Sequence, residues 1–99
     1  MKIIAITSCA TGIAHTYMAA QAIKKICKQK GHDCKVEVQG ALGIENELTQ
    51  QDIQGADIIV LANDVKIQKG ERFEGLEKNI IHTNPHEVIK KPKLIFERA

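Results

Sequence analysis

Lys2-Ile3-Ile4-Ala5-Ile6-Thr7-Ser8 is a short, largely apolar run with three isoleucines, followed at once by the small and polar residues Cys9-Ala10-Thr11-Gly12. Apolar side chains at both odd and even positions read as a β-strand buried on both faces. From residue 15 to residue 30 the period changes. Ala19, Ile23, Ile26 and Cys27 recur at three- and four-residue spacing among good helix formers, which predicts a helix. Lys24, Lys25, Lys28 and Lys30 crowd its last turns, where cations favour the negative end of the dipole, and Gly31 follows as its stop.

Working outward, residues 34–39 alternate, with Val36 and Val38 on one side and Lys35 and Glu37 on the other, the pattern of a half-buried edge strand. Gly40 and Gly43 mark a loop, and Thr49-Gln50-Gln51-Asp52 has the form of a capping box opening one short helix before Gly55. Residues 56–62 (ADIIVLA) repeat the fully buried strand pattern, residues 63–75 are polar and turn-rich with one helical turn, and residues 78–83 form a fourth strand. Asn84-Pro85-His86-Glu87 is a helix start, with Asn as cap, Pro at the first position and Glu three after the cap. That helix should run to about Lys91. Pro92 then begins a second piece, with Leu94, Ile95 and Phe96 turned inward.

Strands alternating with helices through short connections imply a single α/β domain over residues 1–99. The expected architecture is a three-layer sandwich: a four-stranded parallel sheet of order 2-1-3-4 with helices on both faces, a Rossmann-like or flavodoxin-like arrangement. Ligands of such sheets bind beyond the carboxyl ends of the strands, where the winding reverses. That point falls just after Ser8, at Cys9.

Composition narrows the function classes. Of 99 residues, 43% are hydrophobic and 26% charged, as in a chain that buries one core. Fourteen Lys+Arg against twelve Asp+Glu leave a net charge of +2, and aromatic residues are only 3%, which argues against a nucleic-acid footprint. No apolar run has the length of a membrane helix, and the opening residues run straight into the first strand rather than through a signal-peptide pattern, so direct membrane insertion is not expected. Three irregularly spaced cysteines fit a reduced, cytoplasmic protein better than a disulfide framework.

The chemistry is concentrated in Cys9-Ala10-Thr11-Gly12-Ile13-Ala14-His15-Thr16. Backbone N–H groups at a helix start have no intrahelical partner, and with the positive end of the dipole they form a cradle for an anion. Gly12 admits backbone angles that bulkier residues resist, and Thr11 and Thr16 add hydroxyl donors. A thiol at the head of such a cradle is acidified by the same amides. A nucleophilic sulfur beside a phosphate-sized nest predicts a phosphocysteine intermediate. Gly-x-x-x-x-Gly-Lys, Gly-x-Gly-x-x-Gly and Cys-x-x-Cys motifs are absent. The rival is the phosphatase loop with Arg six residues after Cys. Here His15 holds that place, so the bidentate guanidinium clamp is missing, which favours a carrier over a phosphatase or arsenate-reductase-like enzyme.

Cys9-Ala10-Thr11-Gly12-Ile13-Ala14-His15-Thr16-Tyr17-Met18-Ala19-Ala20 resembles the motif C-P-T-G-x-A-H-T-[FY]-M-A-A of the fructose-type IIB domains of the bacterial phosphoenolpyruvate-dependent sugar phosphotransferase system. Val38-Gln39-Gly40-Ala41-Leu42-Gly43, Leu48-Thr49, Ala56-Asp57, Ala62-Asn63-Asp64 and Arg72-Phe73-Glu74-Gly75 are also similar to that family. Ala10 stands where the family usually has proline, which restores an N–H donor to the loop. The resemblance implies that Cys9 accepts a phosphoryl group from a phosphohistidine of a IIA partner and passes it to a sugar held by a membrane-embedded IIC partner. It implies that residues 10–16 are the phosphate loop, that no metal or organic cofactor takes part, and that the isolated domain is monomeric and meets the membrane only through IIC. A regulatory module switched by the state of the cysteine is the non-enzymatic alternative.

Tyr17, Met18, Asp64, Arg72 and Phe73 are candidates for partner docking. The competing readings are helix packing for Tyr17 and Met18, amide capping for Asp64, and a packed Phe73 beside a solvated Arg72. Cys27 lies on the apolar stripe of the first helix and Cys34 opens a strand, both as structural residues. Their spacing with His32, and that of His82 with His86, fits no familiar zinc pattern.

Overall fold

The computed structural model describes residues 1–8, 13–40, 43–76 and 79–97. The chain runs β1 (Lys2–Ser8), α1 (Ile13–Gln29), β2 (Asp33–Gly40), β3 (Gly43–Glu45), α2 (Gln50–Gln54), β4 (Ile58–Asn63), a 3-10 turn (Gly70–Phe73), β5 (Ile80–Thr83), α3 (Pro85–Lys90) and α4 (Leu94–Glu97). The sheet order is β3-β2-β1-β4-β5. β1 is parallel to both β2 and β4, and β4 is parallel to β5.

β1 is buried on both faces because its side chains alternate between two cores. Ile3 and Ala5 join Ala19, Ile23 and Cys27 of α1, Val88 of α3 and Ile95 of α4. Ile4 and Ile6 join Leu48, Ile53 of α2, Leu61 and Phe73 on the opposite face. Each fully buried aliphatic side chain contributes about 1.5–3 kcal/mol, and β4 is two-sided in the same way, with Val60 in the first core and Ile59 in the second.

The four parallel strands take the expected order, but the sheet has five strands and is mixed. β3 is added antiparallel to β2, with Val38 opposite Glu45 and Gly40 opposite Gly43. Gly43 sits at φ 109°, backbone that only glycine adopts readily, so the residue read as a loop marker begins a strand. β2 is therefore not an edge strand. Its alternation also conceals a second burial: Val36 and Val38 face α1, while Glu37 on the other side is fully buried.

Local signals are realised closely. Thr49 caps α2 in a reciprocal capping box with Asp52, and Asn84 caps α3 by accepting from the Glu87 N–H at 2.9 Å, with Pro85 at its start. Gly31, at φ 75°, ends α1, and the His32 N–H reaches back to the Cys27 carbonyl at 2.9 Å. α1 begins two residues earlier than its periodicity indicates; β5 spans Ile80–Thr83, and residue 78, where the fourth strand was expected to start, lies outside the described residues. Among the described residues no helix is long and apolar enough to cross a membrane.

Candidate functional site

The parallel strands end along one edge of the sheet. Ser8 lies opposite Gln39 of β2 and Asn63 of β4, and Thr83 of β5 lies opposite Ala62. β1 ends at that edge with Ser8, and Ile13 is the first residue of α1. The crossover through α1 leads to β2 on one side of β1, and later connections build β4 and β5 on the other. The β1–α1 junction is therefore the reversal point of the winding, where α/β sheets place their ligands. Cys9, Ala10, Thr11 and Gly12 lie outside the described residues.

On one side is the start of α1. No acidic residue stands in its first turn, whereas Asp52 and Glu87 occupy that turn in α2 and α3. No carboxylate of its own first turn offsets the positive end of this 17-residue helix, which suits it to an external anion. Ala14 is exposed, His15 is half-buried and Thr16 is fully buried. The His15 ring packs against His86 of α3, with centroids 4.5 Å apart and planes tilted by 55°. The Asn84 cap and Pro85 fix the start of α3 and so set where His86 stands.

On the other side is the segment after β4. The Asp64 N–H donates to the Ser8 carbonyl at 3.2 Å, so this residue adjoins the end of β1. Asn63 turns the chain by donating to the Val65 carbonyl at 2.7 Å. Gln39 then pins the segment: its amide accepts from the Gln68 N–H at 2.8 Å and donates to the Gln68 carbonyl at 3.0 Å. Behind it, Arg72 grips Glu37 with two bonds of 2.8 and 3.0 Å and also donates to the carbonyls of Lys69 and Leu48. Burial by itself would raise the Glu37 carboxyl, but bonds from Arg72, the Leu48 N–H and Gln39 outweigh it and hold the group below its usual range.

Of the docking candidates, Met18 is 49% exposed on α1, and Asp64 is exposed at the sheet edge. The Tyr17 hydroxyl donates to the Glu45 carboxylate, tying α1 to β3. Phe73 and Arg72 turn inward instead. Phe73 is 4% exposed in the core and Arg72 is committed to Glu37, so neither presents the free loop surface that docking requires. The reading of a packed Phe73 beside a solvated Arg72 holds for the phenylalanine and fails for the arginine, whose partner Glu37 lies 35 residues away in β2. Cys27 is buried and Cys34 half-buried, both as free thiols. Their mutual hydrogen bond, with burial, pushes Cys27 up, and the same bond draws Cys34 down. The pairings His15–His86, Gln39–Gln68 and Glu37–Arg72 were not legible in the sequence. The only available signal was polarity at positions 37 and 39 of a strand whose neighbours are valines.

A family model described as "PTS system, Lactose/Cellobiose specific IIB subunit" matches residues 4–98. The chain is 45% identical over 97 residues to the PTS system fructose-like EIIB component 2 of Escherichia coli K12, covering 98% of this chain and 90% of that protein. It is 42% identical over 98 residues to the PTS system fructose-specific EIIABC component of Bacillus subtilis, covering 99% of this chain and 15% of that longer protein. A crystal structure of a domain from the fructose-specific IIABC component of Borrelia burgdorferi is similar at a TM-score of 0.88 and 39% identity, covering 98% of this chain and 90% of that one. With the β1–α1 junction at the reversal of the sheet and these likenesses along nearly its whole length, the chain belongs to the IIB family of the phosphotransferase system.

Proposed function

We propose that this protein carries a phosphoryl group on the sulfur of Cys9 during sugar uptake. The observation that supports this most is the place of Cys9 in the chain: one residue beyond Ser8 at the reversal of the sheet, ahead of a helix whose first turn bears no carboxylate. The donor is a phosphohistidine on a IIA partner. The Cys9 thiolate attacks phosphorus, the P–N bond breaks, and the S–P bond forms. Residues 10–16 are the loop proposed to bind the equatorial oxygens through backbone N–H groups and hydroxyls. In the second step a sugar hydroxyl held by a IIC permease attacks phosphorus, its proton leaves to solvent or a base of that site, and the sulfur departs as thiolate. The same loop would serve both steps, so the carrier needs to bind a dianion without hydrolysing it. The absence of an arginine from residues 9–16 suits that task.

The fructose-type relatives support fructose as the sugar, and the A, B and C letters in the name of the Bacillus subtilis relative support IIA and IIC as partners. Met18 and Asp64, both exposed, are the proposed contacts for those partners; the Tyr17 hydroxyl is held by Glu45. The test is reconstitution. IIA phosphorylated by the upstream chain, this protein, and IIC in vesicles are given fructose, and fructose phosphate is measured. The account expects product with the wild type and none with Cys9→Ser. Equal product with Cys9→Ser would refute it.

A further inference from the structure

A groove of about 490 Å³ lies between α1 and the α3–α4 segment. Its floor includes Ile26 and Ile89, apolar side chains only partly covered by the core they pack against. Its rim carries Lys25, Lys90, Lys91 and Lys93, four of the fourteen basic side chains of a chain whose net charge is only +2. Among the described residues, Glu97 pairs with Lys91 at 3.0 Å, and no ion pair engages Lys25, Lys90 or Lys93. Helix dipoles account for Lys90 in the last turn of α3. Only Lys28 falls in the last turn of α1, so the dipole that was expected to favour Lys25 is weaker at that position, and it does not account for Lys93, which stands ahead of the amide end of α4.

We infer that this groove docks an acidic, amphipathic peptide segment of a partner protein. The choice rests on using both halves of the surface. A small free anion would engage the ammonium groups and leave the apolar floor wet. A lipid surface is broad and flat, and it would touch the lysine tips without filling a concave floor. A peptide with carboxylates flanking apolar side chains satisfies the rim and covers Ile26 and Ile89 together. The groove lies toward the carboxyl end of α1. At 1.5 Å per residue its α1 lining, from Ala22 to Gln29, lies about 14 to 24 Å along the helix from Ile13, so the partner stays bound while the β1–α1 junction exchanges phosphate. The surface is thus a tether or regulatory contact separate from phosphoryl transfer.

The test uses the intact chain and a fluorescent synthetic peptide of about twelve residues with glutamate and leucine at helical spacing. Anisotropy measures its binding, and amide shift mapping locates it. The inference expects binding that weakens with salt and with leucine-to-serine replacement, and shifts confined to residues 22–29 and 89–93. It expects a loss of tenfold or more in affinity for Lys25→Glu/Lys93→Glu, with thermal unfolding and phosphorylation by IIA unchanged. Absence of binding, or shifts centred elsewhere, would overturn it. So would equal or tighter binding to phosphatidylglycerol vesicles or to inorganic polyphosphate, the lipid and free-anion alternatives. Loss of phosphorylation without loss of peptide binding would bear on Cys9 and leave this surface standing.

Discussion

Arg72 and Glu37, 35 residues apart, meet in a two-point ion pair of 2.8 and 3.0 Å, with Glu37 fully buried and Arg72 nearly so. Each supplies what the other lacks in a low-dielectric interior, and the Leu48 N–H and Gln39 amide fill the remaining lone pairs of the carboxylate. The pair holds the segment after β4 against β2, and through Gln39 and Gln68 it fixes the chain that adjoins Ser8.

Breaking that pair from one side leaves a buried charge unpartnered. Arg72→Met is expected to cost about 3–5 kcal/mol, read by urea unfolding at pH 7. The double replacement Glu37→Leu/Arg72→Met should recover most of the loss, because neither charge then remains in the interior. A loss below 1 kcal/mol for the single variant would show that the pair is solvated in the native protein.

Acid should act through the same carboxylate. Glu37 is held below its ordinary value of 4.5, and the Lys35 ammonium, at 2.7 Å, with the Thr49 amide holds Asp52 below its own. In both cases the unfolded chain takes up protons first as pH falls. Stability is therefore complete above the unfolded values and drains away as pH drops below about 4.5 toward the folded ones. Melting temperature should be flat from about pH 7 to 5.5 and fall steeply below that range. Glu37→Gln should melt lower at pH 7 and show a shallower acid slope, and an unchanged slope would remove Glu37 from the explanation.

Much of this was legible because it is local. The isoleucine run of β1, the ADIIVLA run of β4, and the caps at Thr49 and Asn84 are each decided within a few residues by burial on two faces or by orphan N–H groups. The three residues of β3 have no such signal: Gly43, Ile44 and Glu45 become a strand only by pairing with β2. Glu37 looked solvent-facing because alternation marks which side a residue points to, not what covers that side. In this fold the 3-10 turn with Arg72 and Phe73 covers it. His86 belongs with His15 only because α1 and α3 pack together, a contact spanning 71 positions of sequence.

An acidic Cys9 thiol is a separate expectation of the proposed phosphate loop. In a Cys34→Ser background, which removes the half-exposed thiol that its bond to Cys27 draws down, the rate of iodoacetamide alkylation at Cys9 should reach half-maximum well below the free value of about 8.5. A midpoint at or above that value would mean that the helix start does not favour the anion.

The most direct measurement is the mass of the protein after mixing with phosphorylated IIA, with the modified peptide sequenced under conditions that spare thiophosphate esters. The account requires a gain of about 80 Da, one HPO3, located on Cys9 and absent from Cys9→Ser. A gain that persists in that variant, or that maps to His15 or any other residue, would contradict it.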